Sequence, residues 1–302
     1  MAWATMATRR RAHSHLLSNS MPDFWGILTI AVKWALYFGV LGAAGTVFCA
    51  VLIGLSQFRS LAASYAFIAL ASAVLSFMLK GAALTGDATG MTDPEMLSLL
   101  WQTKSGLSLK MQIGGLVLLL SGLVFTRYGS GIAAIGGLIA MGGFVTIGHI
   151  PDRAGWVLES VLLMHLVCGA FWFGILVPLR RLAGDPAHLS KAAVVGGKFG
   201  QIALWAVPVL VLAGGLMTYN LLGSPSAVIG SLYGQTLLLK VAAVALLLGL
   251  GAINKLRFVP AMACGETRSA AHLVRSITFE WIGFAVALAV TATLTSSLSL
   301  PV

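Results

Sequence analysis

The sequence predicts an all-α membrane protein, a polytopic bundle of about eight transmembrane helices, on three observations. The 302 residues are 58% hydrophobic and only 9% charged, with a mean hydropathy of +0.94, whereas a soluble domain carries roughly 25% charged residues. A chain this poor in charge has too little polar surface for water, so most of its surroundings must be lipid. Long apolar runs recur along the whole chain, each near the ~20 residues needed to cross a bilayer as a helix. None of them shows the ten-residue alternation of a lipid-facing barrel strand.

The runs fall at about 27–57, 61–84, 107–127, 131–149, 156–179, 199–222, 232–254 and 276–297. Polar or helix-breaking segments separate them: Gln57 to Ser60, Thr85 to Ser105, Arg127 to Ser130, Pro151-Asp152-Arg153, Gly184-Asp185-Pro186, Gly223-Ser224-Pro225 and Pro260 to Glu266. The 35 glycines would weaken soluble helices but suit closely packed membrane helices. Gly42, Gly45, Gly136, Gly137, Gly142 and Gly143 mark expected close approaches. Pro178 and Pro208 mark a kink or a helix end in the fifth and sixth spans. A weak echo, Gly106 to Lys110 before the third span and Gly234 to Lys240 before the seventh, is consistent with two four-helix halves.

Residues 1–26 form an N-terminal tail carrying Arg9, Arg10 and Arg11, with Met21 as an alternative start. The tail has no adjacent apolar stretch with a small-residue cleavage site, so the first run reads as a span. The net charge of +10 lies in short segments between spans rather than in one patch, which argues for topology signals and headgroup contact over nucleic-acid binding. Basic residues concentrate in the loops after spans one, three, five and seven: Arg59, Arg127, Arg180, Arg181, Lys191, Lys198, Lys255, Arg257, Arg268 and Arg275. The loops after spans two, four and six hold fewer: Lys80, Lys104, Lys110 and Arg153. The positive-inside rule then puts both termini outside the cytoplasm, with the tail arginines pointing the other way.

Ionisable side chains inside apolar runs are costly and default to functional hypotheses. His165 lies roughly 13 Å into the fifth span at ~1.5 Å per residue. With Cys168 and Trp172 it follows i, i+3, i+7 spacing, and Met164 adjoins it. Imidazole and thiolate suit copper, and a thioether favours Cu(I). The competing reading is a buried histidine bonded to a neighbouring helix, with Met164 and Cys168 as packing. His149 ends the fourth span and reads either as an outer metal-receiving group or as an interfacial side chain. Lys240 in span seven and Glu280 in span eight are the other embedded charges. Their depths disfavour direct pairing: Glu280 is level with Asn254, and Glu159 lies within reach of Lys240. Met91 and Met96 in the outer loop, and His13 and His15 in the tail, are weaker metal candidates. The three cysteines are scattered without CxxC spacing, so no disulfide framework or zinc site is indicated. Nor is there a P-loop, a GxGxxG context, an HExxH or a CxxCH, and nothing in the sequence predicts an enzyme.

The second half resembles the copper resistance protein D (CopD) family. The resemblance is carried by Met164-His165-Leu-Val-Cys168-Gly-Ala-Phe-Trp172-Phe-Gly174, by Phe199 to Gly214, by Tyr233 to Lys240, by Asn254-Lys-Leu-Arg-Phe-Val-Pro260 and by Arg275 to Glu280. Leu84-Thr-Gly86, Trp101-Gln-Thr103, Ser105-Gly106 and Gly148-His149 extend it to longer members. It implies a division into four helices over 27–150 and a CopD-like four-helix domain over 151–302. It also implies a multi-pass protein of the bacterial inner membrane that passes copper ions, Cu(I) or Cu(II), between periplasm and cytoplasm, with uptake the expected direction. A small periplasmic copper-binding protein is the implied partner, and His149 and His165 are the implied ligands. Lys33 stands in the first span where the resemblance leads one to expect histidine. Two alternatives remain from the residues: a haem-binding electron-transfer protein, needing axial histidines at matched depth, and a copper-delivery or assembly subunit without transport of its own.

Overall fold

The computed structural model describes residues 24–125, 128–148, 155–222 and 225–296, and it is helical throughout, with no strand among those residues. In chain order the helices are α1 (Phe24–Ile53), α2 (Arg59–Thr85), α3 (Pro94–Trp101), α4 (Lys104–Val124), α5 (Gly129–Val145), α6 (Trp156–Ala183), α7 (Leu189–Leu222), α8 (Pro225–Gly230), α9 (Leu232–Ile253), α10 (Val259–Ala263) and α11 (Thr267–Ser296). Among the described residues seven helices are long and apolar enough to cross a membrane, and α5 is a shorter apolar helix of 17 residues. At ~1.5 Å per residue α5 reaches about 26 Å, the lower limit for a hydrocarbon core of ~30 Å.

The largest departure from the apolar pattern is at two helix starts. The predicted sixth and eighth spans begin at 199 and 276, but α7 starts at Leu189 and α11 at Thr267. Lys191, Lys198, Arg268 and Arg275 therefore project from helix ends rather than from loops. Their stretches are rich in strong helix formers, and long basic side chains reach the interface from a helix as readily as from a coil. Lys80, too, is on α2 and not in a loop. The polar stretch after α2 folds into a 3₁₀ turn (Ala88–Met91) and α3, whose N-caps are Asp87 and Asp93. Thr89 donates its N–H and its hydroxyl to the Asp87 carboxyl and holds it below the usual carboxylate range.

α1 is the hub. It packs on α2, α5, α6 and α11, and its residues from Gly39 to Ala50 are all buried. The α1–α6 crossing is backbone against backbone: a Cβ on Gly45 would stand 1.8 Å from the Ala170 carbonyl oxygen, and one on Gly174 would stand 2.1 Å from the Gly45 carbonyl carbon. Without hydrophobic gain between helices in lipid, such close packing is the main attraction available. The paired glycines of α4 and α5 work in the same way, Gly115 against Gly136. α9 and much of α7 lie at the periphery and turn Leu212, Leu216, Leu239, Leu246 and Trp205 outward, as lipid-facing helices should.

Hydrogen bonds define the two ends of the bundle. At one end Arg59 donates to the Phe125 carbonyl, Lys191 to Ser56 Oγ, Lys198 to the Ile53 carbonyl and Arg180 to Thr278 Oγ1. This is the basic end. At the other, Lys33 donates to the Thr295 carbonyl at 2.7 Å and Lys80 to Ser105 Oγ at 2.9 Å.

Candidate functional site

A cavity of about 950 Å³ occupies the half of the bundle away from the basic end. It runs from the helix ends near Gly148, Leu222 and Tyr233 to a floor formed by Leu41, Trp172, Leu247 and Phe284. Its walls are mostly apolar, and the polar side chains among them include Lys33, Tyr37, Ser76, Lys80, Ser105, Ser108, Gln112, His165, Thr218, Tyr219, Tyr233, Lys240, Thr291 and Thr295. All eight candidate spans contribute to it.

On α6 the cavity-facing stripe is Leu162, His165, Leu166, Gly169 and Trp172, an i, i+3, i+4, i+7 pattern on one face. Cys168 belongs to the buried core beside that stripe, and Met164 is exposed on the lipid side. The stripe is rotated from the sequence expectation because Gly169 rather than Cys168 lies between His165 and Trp172 on the cavity wall. His165 is therefore brought together with neither sulfur in this cavity.

His165 Nδ1 is 3.0 Å from the Leu210 backbone oxygen on α7. A carbonyl only accepts, so Nδ1 carries the proton and Nε2 of the neutral ring keeps its lone pair. The local sequence makes room for this bond. Gly214 lies one turn beyond Leu210, and a Cβ there would stand 3.4 Å from His165 Cε1. The bond to a neighbouring helix is thus present, and it leaves a ligand nitrogen available. His165 is the only histidine among the described residues that lines the cavity. His149 lies outside the described residues, as do His13 and His15, although Ile147 and Gly148 just before His149 line the cavity rim.

Below the floor, Trp172 Nε1 donates to Glu280 Oε2 at 2.8 Å, and Asn254 Nδ2 donates to Glu280 Oε1. Glu280 is 3% exposed. Asn254 opens a π-helical turn (Asn254–Phe258) between α9 and α10, the kind of local widening that recurs at functional positions. Lys240 lines the cavity and forms no ion pair with Glu159, which faces a separate pocket beside Lys104 and Met111. The level placement of Glu280 and Asn254 emerges as a direct hydrogen bond. Met91 and Met96 are half-buried in the loop segment and do not line the cavity. Among the described residues no three His, Cys, Asp or Glu side chains converge as a metal-binding group.

The embedded candidates expected from the sequence came from spans four to eight, and none came from the first three. Lys33, Lys80, Ser108 and Gln112 all line the cavity. The signal was available: Lys33 and Lys80 are ionisable groups within apolar runs, which carry the same default as His165. Lys33, standing where histidine was expected, places an ammonium in the cavity, so α1 supplies no imidazole.

An all-α, multi-pass membrane protein with a large, sparsely polar cavity reaching a half-buried histidine is the class these features define. The sequence matches the Copper resistance protein D-like N-terminal domain over residues 21–160 and Copper resistance protein D over residues 193–294. The chain belongs to the copper resistance protein D family. Comparison with curated proteins and with solved structures gives no match.

Proposed function

We propose that this chain moves copper across the bacterial inner membrane by way of the cavity, with His165 Nε2 as its copper-binding nitrogen. The observation that carries this reading is the Nδ1 bond to the Leu210 carbonyl, which orients the ring and leaves Nε2 as the acceptor on the cavity wall. Membership of a copper-resistance family supports copper as the cargo. A single protein nitrogen among the described lining residues suits brief hand-over of copper better than tight storage, because storage sites gather several soft donors. The positive-inside rule assigns the basic end to the cytoplasm and the cavity end to the periplasm, where a small copper-binding partner would deliver its cargo. No nucleotide-binding motif is present, so the reading is of passive, ion-coupled or partner-assisted movement toward the cytoplasm.

The test is copper content of the purified chain, compared with His165→Asn. Asparagine keeps an N–H near the position of Nδ1 and so preserves the bond to Leu210, but it lacks the Nε2 lone pair. Copper content should fall sharply while the helical spectrum is retained. Copper content equal to wild type would remove His165 as a ligand. A Soret band in the purified protein would instead support the haem reading.

A further inference from the structure

Among the described residues that line it, the cavity has three lysines and no carboxylate. Lys33 and Lys80 are electrostatic neighbours on one side, and Lys240 adjoins His165 on the other. The hydrogen bonds of Lys33 and Lys80 go to uncharged oxygens, Thr295 and Ser105, and Lys240 has no hydrogen bond or ion pair among the described residues. The described acids near this end do not line the cavity. Asp87 accepts from Thr89, Asp93 caps α3, and Glu159 faces the pocket beside Lys104. Glu280 lies beyond Trp172, under the floor.

Charges within a membrane protein are ordinarily paired with one another, because an uncompensated one is expensive in low dielectric. Here the counter-charge is not supplied by the described side chains. A volume of about 950 Å³ far exceeds a bare metal ion and falls in the range of sites for small organic ligands, ~300–1,000 Å³. The walls are mostly apolar and the charged side chains among them are the three lysines, a lining that suits an anion with some apolar body and repels a hydrated dication.

We infer that the cavity is a binding site for an organic oxyanion, whose carboxylate or phosphate oxygens face Lys33, Lys80 and Lys240. Resting on the proposed function above, copper reaches His165 as a complex of such an anion rather than as a free cation. The anion has two sources of the same chemistry, a soluble copper-chelating carboxylate or an anionic lipid headgroup.

Citrate serves as the probe, titrated calorimetrically into the full chain in neutral detergent, with and without one equivalent of Cu(II). One citrate should bind per chain. Lys80→Met and Lys240→Met, which keep an apolar stem, should each weaken it about tenfold to a hundredfold, the loss of one charged hydrogen bond. Lys240→Arg should bind within a few-fold of wild type, which separates lost charge from lost folding. Phosphatidylglycerol added to the micelles identifies the lipid source if it displaces citrate and the soluble source if it does not, and either result supports an anion site. His165→Asn should retain citrate affinity while losing copper, so the two readings fail separately. The inference is overturned if neither citrate nor phosphatidylglycerol binds, or if the methionine variants bind as wild type does.

Discussion

Glu280 offers a quantitative test of the packing beneath the cavity. Its two oxygens accept from the Trp172 indole and the Asn254 amide. Replacing Glu280 with alanine strands both donors in a site where the carboxyl is 3% exposed. In a soluble core, hydrogen bonds to a charged group contribute about 1.5–3 kcal/mol each. Side-chain hydrogen bonds between membrane helices measure lower, ~0.6 kcal/mol on average and ~1.7 at most, because the unfolded chain in lipid finds other partners. Two such bonds, plus the space left by the carboxyl, predict a loss of about 2–4 kcal/mol. Glu280→Gln keeps one acceptor oxygen and turns an NH₂ toward the other donor, so about half that loss is expected. The assay is reversible unfolding in mixed micelles by sodium dodecyl sulfate, followed by tryptophan emission. A double-mutant cycle between Trp172→Phe and Glu280→Gln should give a coupling of ~0.6–1.7 kcal/mol. If Glu280→Ala unfolds within about 0.5 kcal/mol of wild type, a change typical of an ordinary surface substitution, the buried network does not hold α6, α9 and α11 together.

Three further outcomes are expected. Gly45→Val drives a side chain into the Ala170 carbonyl and should cost about 3 kcal/mol or more in the same unfolding assay, whereas Gly114→Ala, with open space around it, should be near neutral. Met164→Leu and Cys168→Ser should leave the copper-to-protein ratio of the purified chain unchanged, since neither sulfur lines the cavity; a lowered ratio would return them to the ligand set. Asp93→Ala removes the side chain that accepts from the Glu95 and Met96 amides, and should cost about 1 kcal/mol, read as faster amide exchange across α3 with no change in copper content.

The bundle was largely legible in the sequence because each span announces itself by composition. The close glycines were legible for a related reason: Gly42, Gly45, Gly136 and Gly137 stand in apolar runs where only helix contact explains them. The single-helix face was misread by one position. Spacing of i, i+3, i+7 and of i, i+4, i+7 define overlapping stripes, and only the neighbours of α6 decide that Gly169 rather than Cys168 faces the cavity. The Leu210 carbonyl was beyond reach altogether, since a backbone acceptor has no residue type to mark it. Contacts such as Lys33 to Thr295 close the chain on itself across its whole length, and no local pattern encodes them. That is why the sequence did not single out α1, although it packs on α2, α5, α6 and α11.

The central claim is that copper crosses this protein through the cavity and past His165. Copper uptake into proteoliposomes of defined orientation tests it most directly, with wild type, His165→Asn and empty vesicles compared in parallel. Uptake from the cavity end that exceeds empty vesicles, and that falls at least tenfold in His165→Asn, is the result expected. Wild-type vesicles no more permeable to copper than empty ones, or a His165→Asn rate equal to wild type, would contradict it.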